Sequence, residues 1–150
     1  MEQKDTIVND FLQKFPEIKK HPLVDGDDYS DTPYIFFGVV YEILLKAHKD
    51  DVSSAEKIII WVNDILNSIE TDKYIKDMLW IELFEGSELN NSYRDFLLSH
   101  FSNDAHLMYR QYLYIMEHGG LTDPETGEIL KFVKMGNKGK KTGKYISDIK

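Results

Sequence analysis

Apolar positions recur every three to four residues through most of this chain, the spacing that buries one stripe of a helix. The pattern is densest from Ser53 to Phe84. Ile58, Ile59, Trp61, Val62, Ile65, Leu66 and Ile69 mark one amphipathic helix. Tyr74, Ile75, Met78, Leu79, Ile81 and Phe84 mark the next, with Glu70-Thr71-Asp72 between them. Ser53 and Glu56 stand three apart ahead of the first helix, the spacing of a capping box in which hydroxyl and carboxylate each take an orphan amide. The pair is expected at the centre of a helical core.

The same periodicity extends to either side. A helix over residues 6–15 carries Ile7, Val8, Phe11, Leu12 and Phe15 on one face, and Pro16 closes it, because the residue before a proline is displaced from the helical region. Residues 17–32 form a long connection. Pro33 suits a first helical turn, where its missing N–H is not needed. The helix it opens runs to about Lys49 through Tyr34, Ile35, Phe36, Phe37, Val39, Val40, Ile43, Leu44 and Leu45, apolar nearly all round, which predicts burial on most sides. Gly38 interrupts it; an interior glycine is disfavoured by about 1 kcal/mol relative to alanine, so it is expected to admit close packing by another helix.

After the polar break at 86–91, a helix starting at Asn91 or Ser92 carries Tyr93, Phe96, Leu97 and Phe101. Ser102 or Asn103 caps another, with Leu107, Met108, Tyr112, Leu113, Ile115 and Met116, and Gly119-Gly120 ends it by a left-handed turn. The expected fold class is all-α: about six helices in antiparallel pairs, as a bundle or a short helical-repeat stack, over residues 1–120. Residues 121–135 read as a turn or small β-hairpin, with Pro124 and Gly127 as turn residues and Leu121 opposite Leu130, Phe132 and Val133. Residues 136–150 read as a mobile basic tail.

Composition narrows the setting. A chain of 150 residues, 42% hydrophobic, can bury one real core. It has no run of about eighteen apolar residues that could cross a membrane. Its polar, acidic start lacks the order of a secretory signal. The absence of cysteine excludes disulfides and thiolate metal sites and fits a reducing compartment. A cytoplasmic protein is expected. The net charge of −8 is unevenly placed: residues 131–150 hold seven Lys against Asp148, a local +6, which leaves −14 on the remainder. An acidic body favours basic protein partners over nucleic acid.

Tests for chemistry come back empty. None of the five histidines stands in a HExxH or ExxH arrangement. Surface or capping roles are expected for each, His118 beside a C-cap among them. Read as a calcium loop from Asp25, the acidic run places Ser30 at position 6 and Phe36 at position 12, where glycine and glutamate are needed. A solvated turn is the better reading. The glycines form no phosphate-binding loop, and Arg94 and Arg110 are too few to clamp phosphates. No Gly-x-Ser-x-Gly elbow is present. No catalytic residue, cofactor or metal site is expected, and the chain does not read as an enzyme.

Aromatic residues carry more information: nine Tyr, eight Phe and two Trp. Tyr109, Tyr112 and Tyr114 crowd one helix. At about 100° per residue, positions 112 and 114 lie about 200° apart, so one face cannot bury all three. An exposed tyrosine amid acid is what protein interfaces favour; the other reading makes them core and boundary residues whose hydroxyls reach water.

Three segments carry a family likeness: Phe11-Leu-Gln-Lys-Phe-Pro-Glu-Ile, Thr32-Pro-Tyr-Ile-Phe-Phe-Gly-Val-Val-Tyr, and the helices holding Trp61 and Trp80-Ile-Glu-Leu-Phe. Over residues 7–118 the chain resembles a family of small, uncharacterised, all-helical bacterial proteins that are similar to candidate toxin-immunity proteins. The resemblance implies a binding protein that neutralises a cognate bacterial toxin domain, a basic one such as a nuclease, and it supplies no catalytic residues. The surface expected to bind is Asp72, Asp77, Glu82, Glu85 and Glu88, with Asp25, Asp27, Asp28 and Asp31 as a second patch. The alternative is a small helical adaptor or regulator whose lysine tail contacts nucleic acid. Only Tyr145 accompanies those lysines, which leaves no stacking platform for single strands.

Overall fold

The computed structural model describes residues 3–120 together with 122, 123 and 125–128. The described chain is all-helical, with six α-helices: α1 (Gln3–Lys14), α2 (Pro33–Asp50), α3 (Val52–Asn67), α4 (Lys73–Leu83), α5 (Asn91–His100) and α6 (Asn103–His118). Two short 3₁₀ turns, Pro16–Lys20 and Ser87–Leu89, lie in the connections. Gly127 takes the expected positive φ, and its amide donates to the Asp123 carbonyl at 2.9 Å. Leu121, Pro124 and residues 129–150, on which the expected hairpin and basic tail fall, lie outside the described residues.

Caps set the helix ends, and two differ from the expected ones. Asp51 terminates α2 and starts α3, its carboxylate accepting from the Ser54 amide and, at 2.8 Å, from the Ser54 hydroxyl. The cap thus stands two residues ahead of the anticipated Ser53–Glu56 box. At α6, neither Ser102 nor Asn103 caps with its own side chain. Asn63 and Asn67, one turn apart on α3, do so from outside: their side-chain oxygens accept from the Ser102 amide at 3.0 Å and the Ala105 amide at 2.9 Å. A tertiary contact therefore supplies the acceptors that orphan helix-start amides require. Asp72 and Asn90 cap α4 and α5 in the ordinary way.

The core has two aromatic centres. Phe11 is fully buried among Phe15, Phe36, Phe37 and Trp61, with ring centroids 4.9 to 5.6 Å away and mostly edge-on. This arrangement matches ring edges to ring faces. Trp80, Phe84, Phe101, Tyr109 and Tyr112 form the second. His48 also belongs inside, contrary to the surface or capping role expected of it. Its Nδ1 donates to the Leu44 carbonyl at 3.1 Å, and its Nε2 lies 2.8 Å from the Ser92 hydroxyl, tying α2 to α5.

Some apolar positions assigned to the core stripe lie outside it. Ile69 falls in the turn after α3 and is 74% exposed. Tyr74 and Ile81 on α4, with Tyr34 and Ile35 on α2, also face outward. The expected burial of α2 on most sides is thus only partly realised: Phe36, Phe37, Val40, Ile43 and Leu44 are inside, but one flank meets solvent.

Candidate functional site

Two of the outward apolar residues come together where α2 and α4 lie side by side. Tyr34, at the start of α2, meets Tyr74, at the start of α4, edge to face with centroids 5.7 Å apart. Further along both helices Gly38 meets Glu82. The helices therefore run in the same sense. On α4 the spacing 74, 77, 81 places Tyr74, Asp77 and Ile81 on one outward stripe, and Glu85 follows in the turn after the helix.

Gly38 lies against α4, as expected of an interior glycine that admits a neighbouring helix. A Cβ built there would meet a single foreign atom within 4 Å, Oε2 of Glu82 at 3.3 Å, and no backbone of α4. The missing side chain faces α4, which packs closely on α2, and the atom that takes up the room is a side-chain carboxylate. Glu82 continues the register of the buried Ile75, Met78 and Leu79, so it points into the seam. Burial, reinforced by the neighbouring Glu85 charge, pushes its carboxyl above the usual range. Among the described residues nothing donates a hydrogen bond to Glu82 and no cation pairs with it.

The other anticipated carboxylates divide into engaged and free. Asp72 accepts from the Ile75 amide at 2.9 Å as the α4 cap, while its own amide donates to Gln3 of α1. Asp77 pairs with Lys73 at 2.6 Å. Glu85 is exposed. Glu88 accepts from the Tyr112 hydroxyl at 2.5 Å and lines a cleft of about 600 Å³ with Arg94, Asp95 and Glu117. In the second patch Asp28 accepts from the Ser30 amide and hydroxyl, bonds that hold its carboxyl below the usual range. Asp27 accepts from Tyr29, and Asp25 and Asp31 are exposed. That run is a folded turn leading to α2. Only Asp77, Glu82 and Glu85 of the expected surface share the α2–α4 face.

The α6 tyrosines are not surface groups. Tyr109, Tyr112 and Tyr114 are all buried, because α6 is covered on more than one side. Tyr112 packs on Trp80, and Tyr114 donates to the Thr122 carbonyl of the following segment. Instead of binding a partner, phenols brace the corner after α4. Tyr93 donates to the Leu83 carbonyl, the Tyr109 and Ser87 hydroxyls lie 2.7 Å apart, and the Gly86 amide donates to Tyr112. Burial pushes the Tyr109 phenol up to about 12. It pushes Tyr93 and Tyr112 well up too, the latter helped by its bond to Glu88.

The residues missed in the sequence are Tyr34, Ile35, Tyr74 and Ile81. A usable signal existed for the seam: Glu82 stands seven residues after Ile75 on an otherwise apolar stripe. Among the described residues no group of three His, Asp or Glu is placed to hold a metal ion, and no helix is long and apolar enough to cross a membrane. Comparison with protein-family models, with curated proteins and with solved structures finds no match to this chain.

Proposed function

We propose that this chain is a binding protein that covers a cationic surface of a partner protein, acting as an immunity protein that occludes a basic bacterial toxin domain. The observation that carries this reading is the α2–α4 face. Tyr34 and Tyr74 meet there, half-exposed, with Ile81 on the same stripe of α4 as Tyr74 and with Glu82 and Glu85 close by, in a chain of net charge −8. Tyrosines with aliphatic neighbours supply the desolvated centre of an interface, and carboxylates around them supply charge complementarity. Occlusion is steric. The carboxylates speed encounter and reject acidic competitors, while the aromatic centre sets the lifetime of the complex.

The test is co-expression with the toxic domain encoded by the adjacent gene. The wild type should form a stoichiometric complex and protect the cell. Tyr34→Ala with Tyr74→Ala should shorten the complex lifetime, and Glu85→Lys should slow association, each without unfolding the protein. Protection unaffected by all three substitutions would remove this face from the mechanism. An adjacent product that neither harms the cell nor binds, together with salt-dependent nucleic-acid binding lost on removing residues 136–150, would replace the immunity reading with the adaptor.

A further inference from the structure

We infer that the Gly38–Glu82 notch is a receptor for a single arginine side chain of the partner. This inference rests on the reading that the chain binds a cationic protein, and it assigns that binding a specific anchor. Three independent features coincide at the notch. First, α2 carries a glycine in its interior, and the room this leaves is filled by one carboxylate oxygen, 3.3 Å from where a Cβ would stand. Second, that carboxylate lies in the register of the buried stripe, yet has no donor and no cation among the described residues. Third, Tyr34 and Tyr74 meet edge to face beside it, and the Tyr34 phenol is close enough to Glu82 and Asp77 to feel both charges.

Charge complementarity selects the occupant. α4 carries Lys73, which Asp77 holds at 2.6 Å, and Lys76, which forms no ion pair with Glu82. Glu82, with the exposed Glu85 beside it, is left unneutralised at the seam. A guanidinium offers two parallel N–H donors to a carboxylate and a flat face to an aromatic ring. It also meets its ligand with less loss of hydration than an ammonium does. The notch therefore prefers arginine to lysine. Asp77, turned to Lys73, and Asp72, engaged in the α4 cap, do not compete for it.

The experiment uses the full chain and an octa-arginine peptide as probe, with octa-lysine beside it, in low-salt amide NMR titrations. Octa-arginine should shift the amides of Gly38, Tyr34, Tyr74 and Glu82 most. Glu82→Gln should weaken binding about tenfold, as expected for loss of a bidentate charge-assisted pair. Asp77→Asn removes the same charge from a paired carboxylate and should change affinity less than about threefold, in keeping with a solvent-exposed pair. Octa-lysine should bind more weakly than octa-arginine. Retained amide dispersion in both variants excludes unfolding as the cause. Equal weakening by Glu82→Gln and Asp77→Asn, or shifts centred on residues 25–31 or on the Glu88–Arg94 cleft, would overturn the notch while leaving a cation-binding protein. No binding of either peptide to the wild type would overturn the cation-binding reading itself.

Discussion

Replacing Gly38 with alanine separates the two roles an interior helix glycine can have. In the middle of α2 the substitution gains about 1 kcal/mol in helical preference, because glycine gives up the most backbone freedom on folding. Against this stands the new methyl, 3.3 Å from Oε2 of Glu82, slightly closer than an ordinary contact. The atom it meets ends a flexible side chain with no hydrogen bond to lose, so the carboxylate swings outward by a few tenths of an ångström at little cost. The net result should be a gain of about 0.5–1 kcal/mol, or roughly 1–4 °C in Tm for a chain of this size. Urea unfolding followed by circular dichroism measures it directly, with the midpoint rising and the slope unchanged. Destabilisation by about 1 kcal/mol or more would mean that the glycine serves helix packing and that the notch reasoning is wrong. Peptide binding should weaken in the same variant, since the carboxylate it displaces is the proposed ligand.

Other outcomes follow from the same geometry. Glu82→Gln should stabilise the free protein at neutral pH. Its folded carboxyl lies above the usual range, so the stability it contributes is full below about pH 4.5 and falls as pH rises. Urea melts of both proteins at pH 4 and pH 7 should show the gap only at the higher pH. The buried phenols predict alkaline loss of stability by the same sign. Tyr109 titrates near 10 unfolded and about 12 folded, so its contribution is intact below pH 10 and disappears as pH climbs through about 12. Tyr109→Phe should flatten that limb of the profile. Asn67→Ala leaves the Ala105 amide without its acceptor and should destabilise by about 1–2 kcal/mol in a thermal melt. Phe11→Ala, at the fully buried aromatic centre, should lose about 3–5 kcal/mol in the same assay.

Helices could be read from the sequence because period and punctuation agreed. Pro33, Asp72, Asn90 and Gly119 each mark an end that local chemistry alone determines. The α6 start was hidden because its acceptors, Asn63 and Asn67, lie about forty residues upstream and look like ordinary polar positions of α3. The choice between core and surface for the tyrosines stayed open for a related reason. Angular spacing on one helix says which residues share a face, but not how many faces are covered, and α6 is covered by Trp80 on one side and by Thr122 near another. The acidic surface was legible as a charge and illegible as a site. Asp28, Asp72 and Asp77 look alike in sequence and differ only by the Ser30, Ile75 and Lys73 atoms that occupy them.

The occupied carboxylates give the unoccupied one its meaning. A fold that uses Asp51 and Asp72 as caps, Asp77 as a salt-bridge partner and Glu88 as a phenol acceptor has ways of satisfying acids, yet it leaves Glu82 turned into a seam without a donor. Even a partly covered charge without a partner works modestly against stability, and an interior glycine on the facing helix adds to that cost. Meanwhile the corner following Glu82 is held by three buried phenols, from Tyr93, Tyr109 and Tyr112. Rigid support around an unsatisfied group is the arrangement that lowers the ordering cost of binding. Stability sacrificed at one point within a braced surface is what the proposed arginine of a partner would offset.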